Sequence, residues 1–110
     1  MSIYVIADVK VTDDSWIPDY AANVHNIVHK YGGKYLTRTG NITTVEGEPM
    51  DTTLVALLEF PDMASVQNFA GSEEYAPYAK ARQNGSITRL HILDAVDLAG
   101  TIPYLEKALP

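Results

Sequence analysis

Two adjacent glycines, Gly32-Gly33, separate a helical pattern from a strand pattern, and this change of period constrains the fold more than any other feature. A helix that stops and reverses into a strand commonly ends at a residue with positive φ, which glycine adopts without a steric penalty. Residues 34–39 are then typical of a strand. The apolar stripe before the glycines recurs at spacings of three and four and comprises Ile17, Tyr20, Ala21, Val24, Ile27, Val28 and Tyr31.

The rest of the chain predicts three more strands and a second helical region. Residues 3–11 alternate with a period of two, residues 53–60 are apolar on both faces except at Glu59, and residues 87–96 form the last strand. Gly40-Asn41 can break or bulge the second strand, which can then continue through residues 42–46. Helical residues follow Asp62, a predicted N-cap, and restart after Gly71.

This order, β-α-β-β-α-β, is that of a ferredoxin-like α+β fold with a four-stranded antiparallel sheet and both helical segments on one face. The other face carries Tyr4, Ile6 and either Leu57 or Leu58, and such a semi-apolar face needs a cover. A second copy of the same face is the simplest cover, so we expect a symmetric homodimer. Residues 1–98 form this domain, and residues 99–110 are a tail that can form a short helix.

The charge and the amino-acid composition of the chain limit which molecules we expect it to bind. The chain has 110 residues, a formal net charge of −6 and no cysteine, and its sequence pI is about 4.8. The few basic residues are scattered, so nucleic acid and anionic membranes are not expected partners. The lack of cysteine, of a secretory leader and of a long apolar run predicts a cytoplasmic protein.

Several short motifs together resemble one family. They are Tyr31-Gly32-Gly33-Lys34-Tyr35-Leu36 with Arg38 and Gly40, then Glu46-Gly47, Glu59-Phe60-Pro61, and Ser72-Glu73-Glu74-Tyr75 followed by Arg82. In order and spacing they resemble the domain of unknown function 1330, over roughly residues 3 to 96. The resemblance implies a dimeric α+β barrel, in which two ferredoxin-like sheets close face to face around a lumen. That superfamily includes cofactor-independent monooxygenases, isomerases, dehalogenases and heme-handling enzymes.

Three polar residues stand within otherwise apolar strands and are the candidate catalytic groups. If Asp8, Glu59 and His91 share the enclosed face, a carboxylate and an imidazole can transfer protons. The alternative is a satisfied polar core or strand ends in contact with water. Arg38 can bind a substrate carboxylate, or it can form a structural ion pair with Glu46 or Glu59.

Tyr4 on the uncovered face, and Tyr75 and Arg82 from the family pattern, complete the candidate substrate-binding residues. The alternative for the last two is that they attach the second helical segment to the sheet. His25 and His29 stand one helical turn apart, but a metal site needs at least one further ligand. We therefore expect neither a metal nor a cofactor.

No motif in the sequence names a reaction, so three hypotheses remain open. The first is a cofactor-free enzyme acting on a small organic molecule in the lumen by proton transfer or oxygenation. The second is a module that binds such a molecule without transforming it, and the third is a dimeric interaction protein. An enzyme predicts a cavity with convergent polar groups, a binding module predicts the cavity without a matched acid and base, and an interaction protein predicts no cavity.

Overall fold

The computed structural model describes residues 2–97 and contains the predicted ferredoxin-like arrangement. The elements are β1 (Ile3–Val11), α1 (Ile17–Lys30), β2 (Lys34–Thr39), β3 (Leu54–Phe60), α2 (Met63–Ala70), α3 (Ala76–Asn84) and β4 (Ser86–Asp94). The four strands form one antiparallel sheet in the order β2-β3-β1-β4. The α+β prediction is confirmed, with β3 central as expected. The tail predicted at residues 99–110 lies outside the described residues.

The double glycine ends α1 as predicted. Gly32 has φ of +86°, and its N–H donates to the carbonyl of His29 at 3.0 Å, while the N–H of Gly33 donates to that of Val28 at 2.9 Å. This pair of bonds is the Schellman motif. A Cβ on Gly33 would lie 2.5 Å from the ring of Phe60, so the second glycine is required for packing and the first for its backbone conformation.

The helices α1 and α2 begin in different ways. Asp62 caps α2 as predicted, because its carboxylate accepts a hydrogen bond from the N–H of Ser65 at 2.7 Å. By contrast, α1 has no side-chain cap: Trp16 occupies the N-cap position, and the carboxylate of Asp13 accepts instead from the N–H of Ser15. The acidic stretch before α1 therefore forms a turn rather than a cap.

The predicted continuation of β2 through residues 42–46 is wrong. The register places Thr39 opposite Val55, and β3 begins at Leu54. No part of β3 is left for residues 42–46 to pair with, and a strand outside a sheet has no partners for its backbone groups. Residues 40–53 form an irregular connection instead, in which Val45 is 94% exposed.

The sheet has two different faces. The helix-covered face and the helices form the core, whose fully buried side chains are Phe60, Val24 and Val28. The opposite face, called the open face below, has no layer of described residues over it; its apolar members are Tyr4, Ile6, Val55, Leu57, Ile87 and Leu93. Leu57 thus lies on the open face and Leu58 in the core. Met63 is 41% exposed at the start of α2.

Candidate functional site

A trough crosses the helix-covered face of the sheet at two opposed alanines. Ala7 on β1 pairs with Ala56 on β3, and the same transverse row continues to Arg38 on β2 and Leu90 on β4. The neighbouring row carries only larger side chains: Tyr35, Leu58, Val5 and Ile92. Two methyl side chains at the centre of a sheet leave space beneath the helices, and a cavity of about 230 Å³ occupies it.

The helices supply the roof of this cavity. Trp16 and Tyr20 come from the start of α1, Phe69 from α2, and Tyr75 and Arg82 from the α3 region. Most of the lining side chains are aliphatic or aromatic, and none is a carboxylate. The pocket therefore offers a largely apolar enclosure with its polar groups contributed by a few tyrosines and arginines, which is the usual character of a small-molecule site.

The aromatic side chains of the roof are fixed by contacts with one another. The ring of Tyr75 lies 4.3 Å from that of Phe69, and Tyr20 contacts Trp16 edge to face at 5.2 Å. The indole Nε1 of Trp16 donates to the carbonyl of Gly85 at 3.1 Å. Trp16 thus forms part of the pocket wall.

Arg82 is the most unusual side chain of the pocket. It is only 4% exposed, and its Nη2 donates to the hydroxyl of Tyr75 at 3.4 Å. The ion pairs among residues 2–97 involve other side chains, so no described carboxylate lies within 4 Å of this guanidinium. Burial lowers the pKa of Arg82, but Tyr75 and Tyr20 outweigh that effect and raise the pKa overall. The group remains a buried cation.

A β-bulge decides where Arg38 points. The register shifts between Tyr35 and Thr37, so Leu36 is the extra residue and Tyr35 and Arg38 both face the helices. The guanidinium of Arg38 lies 3.9 Å from the centre of the Tyr35 ring, a cation–π contact. The alternative in which Arg38 pairs with Glu46 or Glu59 is wrong, because Arg38 takes part in no described ion pair and Glu59 binds Lys34 at 3.3 Å on the other face.

Burial changes the acidity of two tyrosines in the pocket. Burial, followed by the neighbouring Tyr75, raises the pKa of Tyr20 far above its usual range. Burial also raises the pKa of Tyr35, although the nearby Arg38 partly offsets the effect. Both phenols are therefore neutral at pH 7, where they can donate or accept a hydrogen bond but carry no charge.

The remaining candidate residues lie on the open face, separated from the pocket by the sheet itself. Tyr4 is opposite Glu59, and Ile6 is opposite His91. The carboxylates of Asp8 and Glu59 both have cationic partners, Arg89 and Lys34. Glu59 and His91 stand on the two strands that flank β1 and are offset by two residues along it, so their Cα atoms lie roughly 12 Å apart. The structure thus brings Arg38, Tyr75 and Arg82 together and leaves Tyr4, Asp8, Glu59 and His91 on the other side.

Asp8 has a lowered pKa in the folded protein. Its side chain is 10% exposed, and Nε of Arg89 donates to it at 3.0 Å. The hydroxyl of Thr52, the Arg89 guanidinium and the nearby His91 together lower the pKa of Asp8 against the opposing effect of burial. Asp8 is therefore ionised at neutral pH and already paired with Arg89.

Metal binding and membrane insertion can be assessed for the same part of the chain. The rings of His25 and His29 lie 6.1 Å apart on α1, and no group of three or more metal-ligating side chains occurs in residues 2–97. Within that range no helix is both long enough and apolar enough to cross a membrane.

Sequence reasoning did not assign Ala7, Ala56, Tyr20 and Tyr35 to a site. Alanines in the middle of strands rich in larger residues were the available signal, but their meaning depends on the pairing register, which places them opposite each other. Tyr35 required the bulge, because simple alternation from Leu36 to Arg38 groups the wrong residues.

Comparison with solved structures finds the same fold in proteins of low sequence identity. A protein of unknown function from Rhodopseudomonas palustris has a TM-score of 0.72 at 16% identity, covering 87% of this chain and 83% of that one. SnoaB, a cofactor-independent oxygenase from Streptomyces nogalater, has a TM-score of 0.62 at 12% identity, covering 87% and 94%. An ethyl tert-butyl ether D (EthD) family protein from Bacillus halodurans has a TM-score of 0.61 at 19% identity, covering 87% and 100%.

These identities establish the fold and not the chemistry. A comparison with curated proteins gives no match. The family model for a domain of unknown function, DUF1330, matches residues 2–96. That match spans the whole of the described sheet and its helices, so the chain belongs to the DUF1330 family.

Proposed function

We propose that this protein is a homodimer in which each subunit binds a compact, largely apolar organic molecule between its sheet and its helices. The observation that carries the proposal is the cavity of about 230 Å³ above Ala7 and Ala56. An apolar cavity of about 150 Å³ is enough to hold benzene. A molecule of one or two fused rings therefore matches the space, and Arg38, Tyr75 and Arg82 are its proposed binding residues.

Trp16 provides a direct test, because it lines the pocket and is the only tryptophan of the chain. Its indole N–H gives one recognisable cross-peak in a ¹⁵N–¹H correlation spectrum. We expect 2-naphthoate or its neutral analogue 2-naphthamide to shift this peak saturably. A molecule seated over Ala7 and Ala56 lies beneath Trp16, so its ring current and contacts alter the indole environment.

The matched variants are Ala56→Leu and Ala64→Leu. Ala56→Leu fills the trough and should abolish the shift, whereas Ala64→Leu adds the same atoms at an exposed position of α2 and should not. Circular dichroism establishes that both variants are folded. Absence of any saturable shift in the wild type, or unchanged binding in a folded Ala56→Leu variant, contradicts the proposal.

The open face supports the homodimeric part of the proposal. Its apolar centre of Ile6, Leu57 and Leu93 has no described layer over it, and two copies can bury it symmetrically. The charged residues at its flanks are already neutralised in pairs, Asp8 with Arg89 and Lys34 with Glu59. Such pairs reduce the electrostatic cost of bringing two identical faces together.

Sedimentation velocity tests this interface. The wild type should sediment at twice the 12.1 kDa mass of one chain, and Leu57→Glu should convert it to monomer by placing a charge at the centre of the contact. Val45→Glu is the control, since Val45 lies in the exposed connection between β2 and β3. A folded wild-type monomer at high concentration would eliminate the dimer.

Cofactor-independent oxygenation of the bound molecule is the second candidate function, and the fold shared with SnoaB is the observation that favours it. In such a reaction dioxygen is the oxidant and the ligand is the reductant. Oxygen consumption on adding a bound ligand to the protein, measured with an oxygen electrode, distinguishes turnover from simple binding. The acid–base roles of His91, Glu59 and Asp8 require a ligand on the open face, and they stay predictions.

A further inference from the structure

We propose that the ligand of this pocket is an anion: an apolar, flat carboxylic acid whose carboxylate pairs with Arg82. This inference rests on the proposed function, since it concerns the substrate class of the same pocket. It goes further in assigning a charge and an orientation to the bound molecule, with the acidic end at Arg82 and Tyr75 and the rings over Ala7 and Ala56.

Arg82 has no carboxylate partner among residues 2–97. Taking a guanidinium out of water is costly unless a carboxylate or comparable acceptors compensate it. The described hydrogen-bond partner is the hydroxyl of Tyr75 at 3.4 Å, a long contact, and the hydroxyl of Tyr20 also acts on the guanidinium. Arg82 also lies in the last turn of α3, where the helix dipole favours a cation. These contributions offset only part of the cost, which leaves the cation suited to an incoming anion.

The cations that form described ion pairs differ from Arg82 in the exposure of their side chains. The cations in described ion pairs are Lys10, Lys30, Lys34 and Arg89, and the exposed fractions of their side chains range from 42% to 66%. Those pairs are surface contacts that contribute little. Among residues 2–97, Arg82 is the buried cation and forms no such ion pair, although its location at the wall of the cavity gains most from one.

The charge of the pocket lining also favours an anionic ligand. The chain carries a net charge of −6, yet the pocket lining contains two arginines and no acidic residue. The hydroxyls of Tyr20 and Tyr75 lie beside Arg82; one of their two protons joins the pair, and the other can donate to a carboxylate. The remaining wall is apolar. A ligand that matches this distribution has one acidic group and an apolar body.

The geometry of guanidinium favours a carboxylate over a single charged oxygen. Its planar set of N–H donors binds two carboxylate oxygens at once, which adds both affinity and orientation. Arg38 lines the same pocket from the sheet, over the ring of Tyr35, so the pocket holds a second positive charge. Both charges raise the affinity for an anion relative to a neutral molecule of the same shape.

The test compares 2-naphthoate with 2-naphthamide, which has nearly the same size and shape but no charge. Dissociation constants are measured by titration calorimetry for the wild type, Arg82→Met, Arg82→Lys and the control Lys80→Met. Lys80 is exposed on the same helix, so its replacement removes one positive charge without altering the pocket. The wild type should bind the carboxylate at least tenfold more tightly than the amide.

In Arg82→Met the ratio of the two dissociation constants should fall to about one, while the amide still binds. Arg82→Lys should keep part of the preference, and Lys80→Met should keep it whole. A wild type that binds both compounds equally overturns the anion inference and leaves the proposed pocket standing. A wild type that binds neither overturns the proposed function itself. If Arg82→Met does not fold, the anion inference is still tested by the ratio of the naphthoate and naphthamide dissociation constants in the wild type and in Arg82→Lys.

Discussion

The hydroxyl oxygens of Tyr20 and Tyr75 lie 3.0 Å apart and join α1 to the residue that precedes α3. The hydroxyl of Tyr75 also accepts a hydrogen bond from Arg82, so the three side chains form one polar chain along an otherwise apolar pocket. Each hydroxyl therefore has a hydrogen-bond partner, and one N–H of the guanidinium has an acceptor. This chain ties the helical roof together at the proposed ligand site.

Removing the Tyr20 hydroxyl should weaken the fold modestly. Tyr20→Phe keeps the ring against Trp16 and deletes one buried hydrogen bond, which is worth about 1 kcal/mol. Urea unfolding measures the loss. Tyr31→Phe is the control, because the Tyr31 hydroxyl makes no hydrogen bond to another described residue. Equal stability of Tyr20→Phe and the wild type would show that the pair contributes nothing.

The fold should lose stability in alkali. The pKa values of Tyr20 and Tyr35 are raised in the folded protein, chiefly by burial, so the folded state holds protons that the unfolded state releases near pH 10. This contribution is complete below that pH and is lost as the pH rises through the folded-state pKa values. Tyrosinate absorbance should show at least two tyrosines that titrate only as the protein unfolds. Titration of every tyrosine before unfolding would contradict this prediction.

Gly85→Ala should displace Trp16 and open the pocket. A Cβ at position 85 would lie 2.8 Å from the carbonyl oxygen of Asp13 and nearer still to the indole of Trp16. The hydrogen bond from the indole to Gly85 should break, at a cost of about 1–3 kcal/mol for forced overpacking. Tryptophan emission should shift to longer wavelength as the ring gains water. Gly71→Ala is the control, since its Cβ meets only the Gln67 carbonyl at 3.3 Å; an unchanged spectrum for Gly85→Ala would refute the prediction.

Asp8 should contribute to stability at neutral pH and less in acid. Its pKa is lowered in the folded state by Thr52 and Arg89, so the contribution is present above the unfolded-state pKa of about 3.9. It is lost as the pH falls through the lower folded-state value. Because the Arg89 side chain is 66% exposed, we expect less than about 1 kcal/mol. Urea unfolding of Asp8→Asn and wild type should differ at pH 7 and converge near pH 2; a constant difference would contradict the assignment.

Features fixed by neighbouring residues could be predicted from the sequence. Gly32-Gly33 ends α1 because the requirement for positive φ is local, and Asp62 caps α2 because the cap bond spans three residues. Residues 42–46 look like a strand by composition, but a strand also needs a partner, and β3 supplies none there. The same limit applies to the pocket, which depends on pairings between distant segments.

The site shows the limit most clearly at Arg38 and at the alanine pair. One bulged residue, Leu36, reverses the face to which Arg38 points, and no local pattern around Leu36 predicts the bulge. Ala7 and Ala56 are ordinary strand residues until the register sets them opposite each other. The hydrophobic periods of the sequence predict the ferredoxin-like order of helices and strands. The location of the cavity depends on the pairing register of the strands, which the sequence does not give.

A crystal structure of the protein with 2-naphthoate tests the central claim most directly. The account predicts the rings over Ala7 and Ala56, beneath Trp16, with a carboxylate oxygen within hydrogen-bonding distance of Arg82. A naphthoate bound on the open face beside His91 and Glu59, with the trough between sheet and helices left vacant, would contradict it.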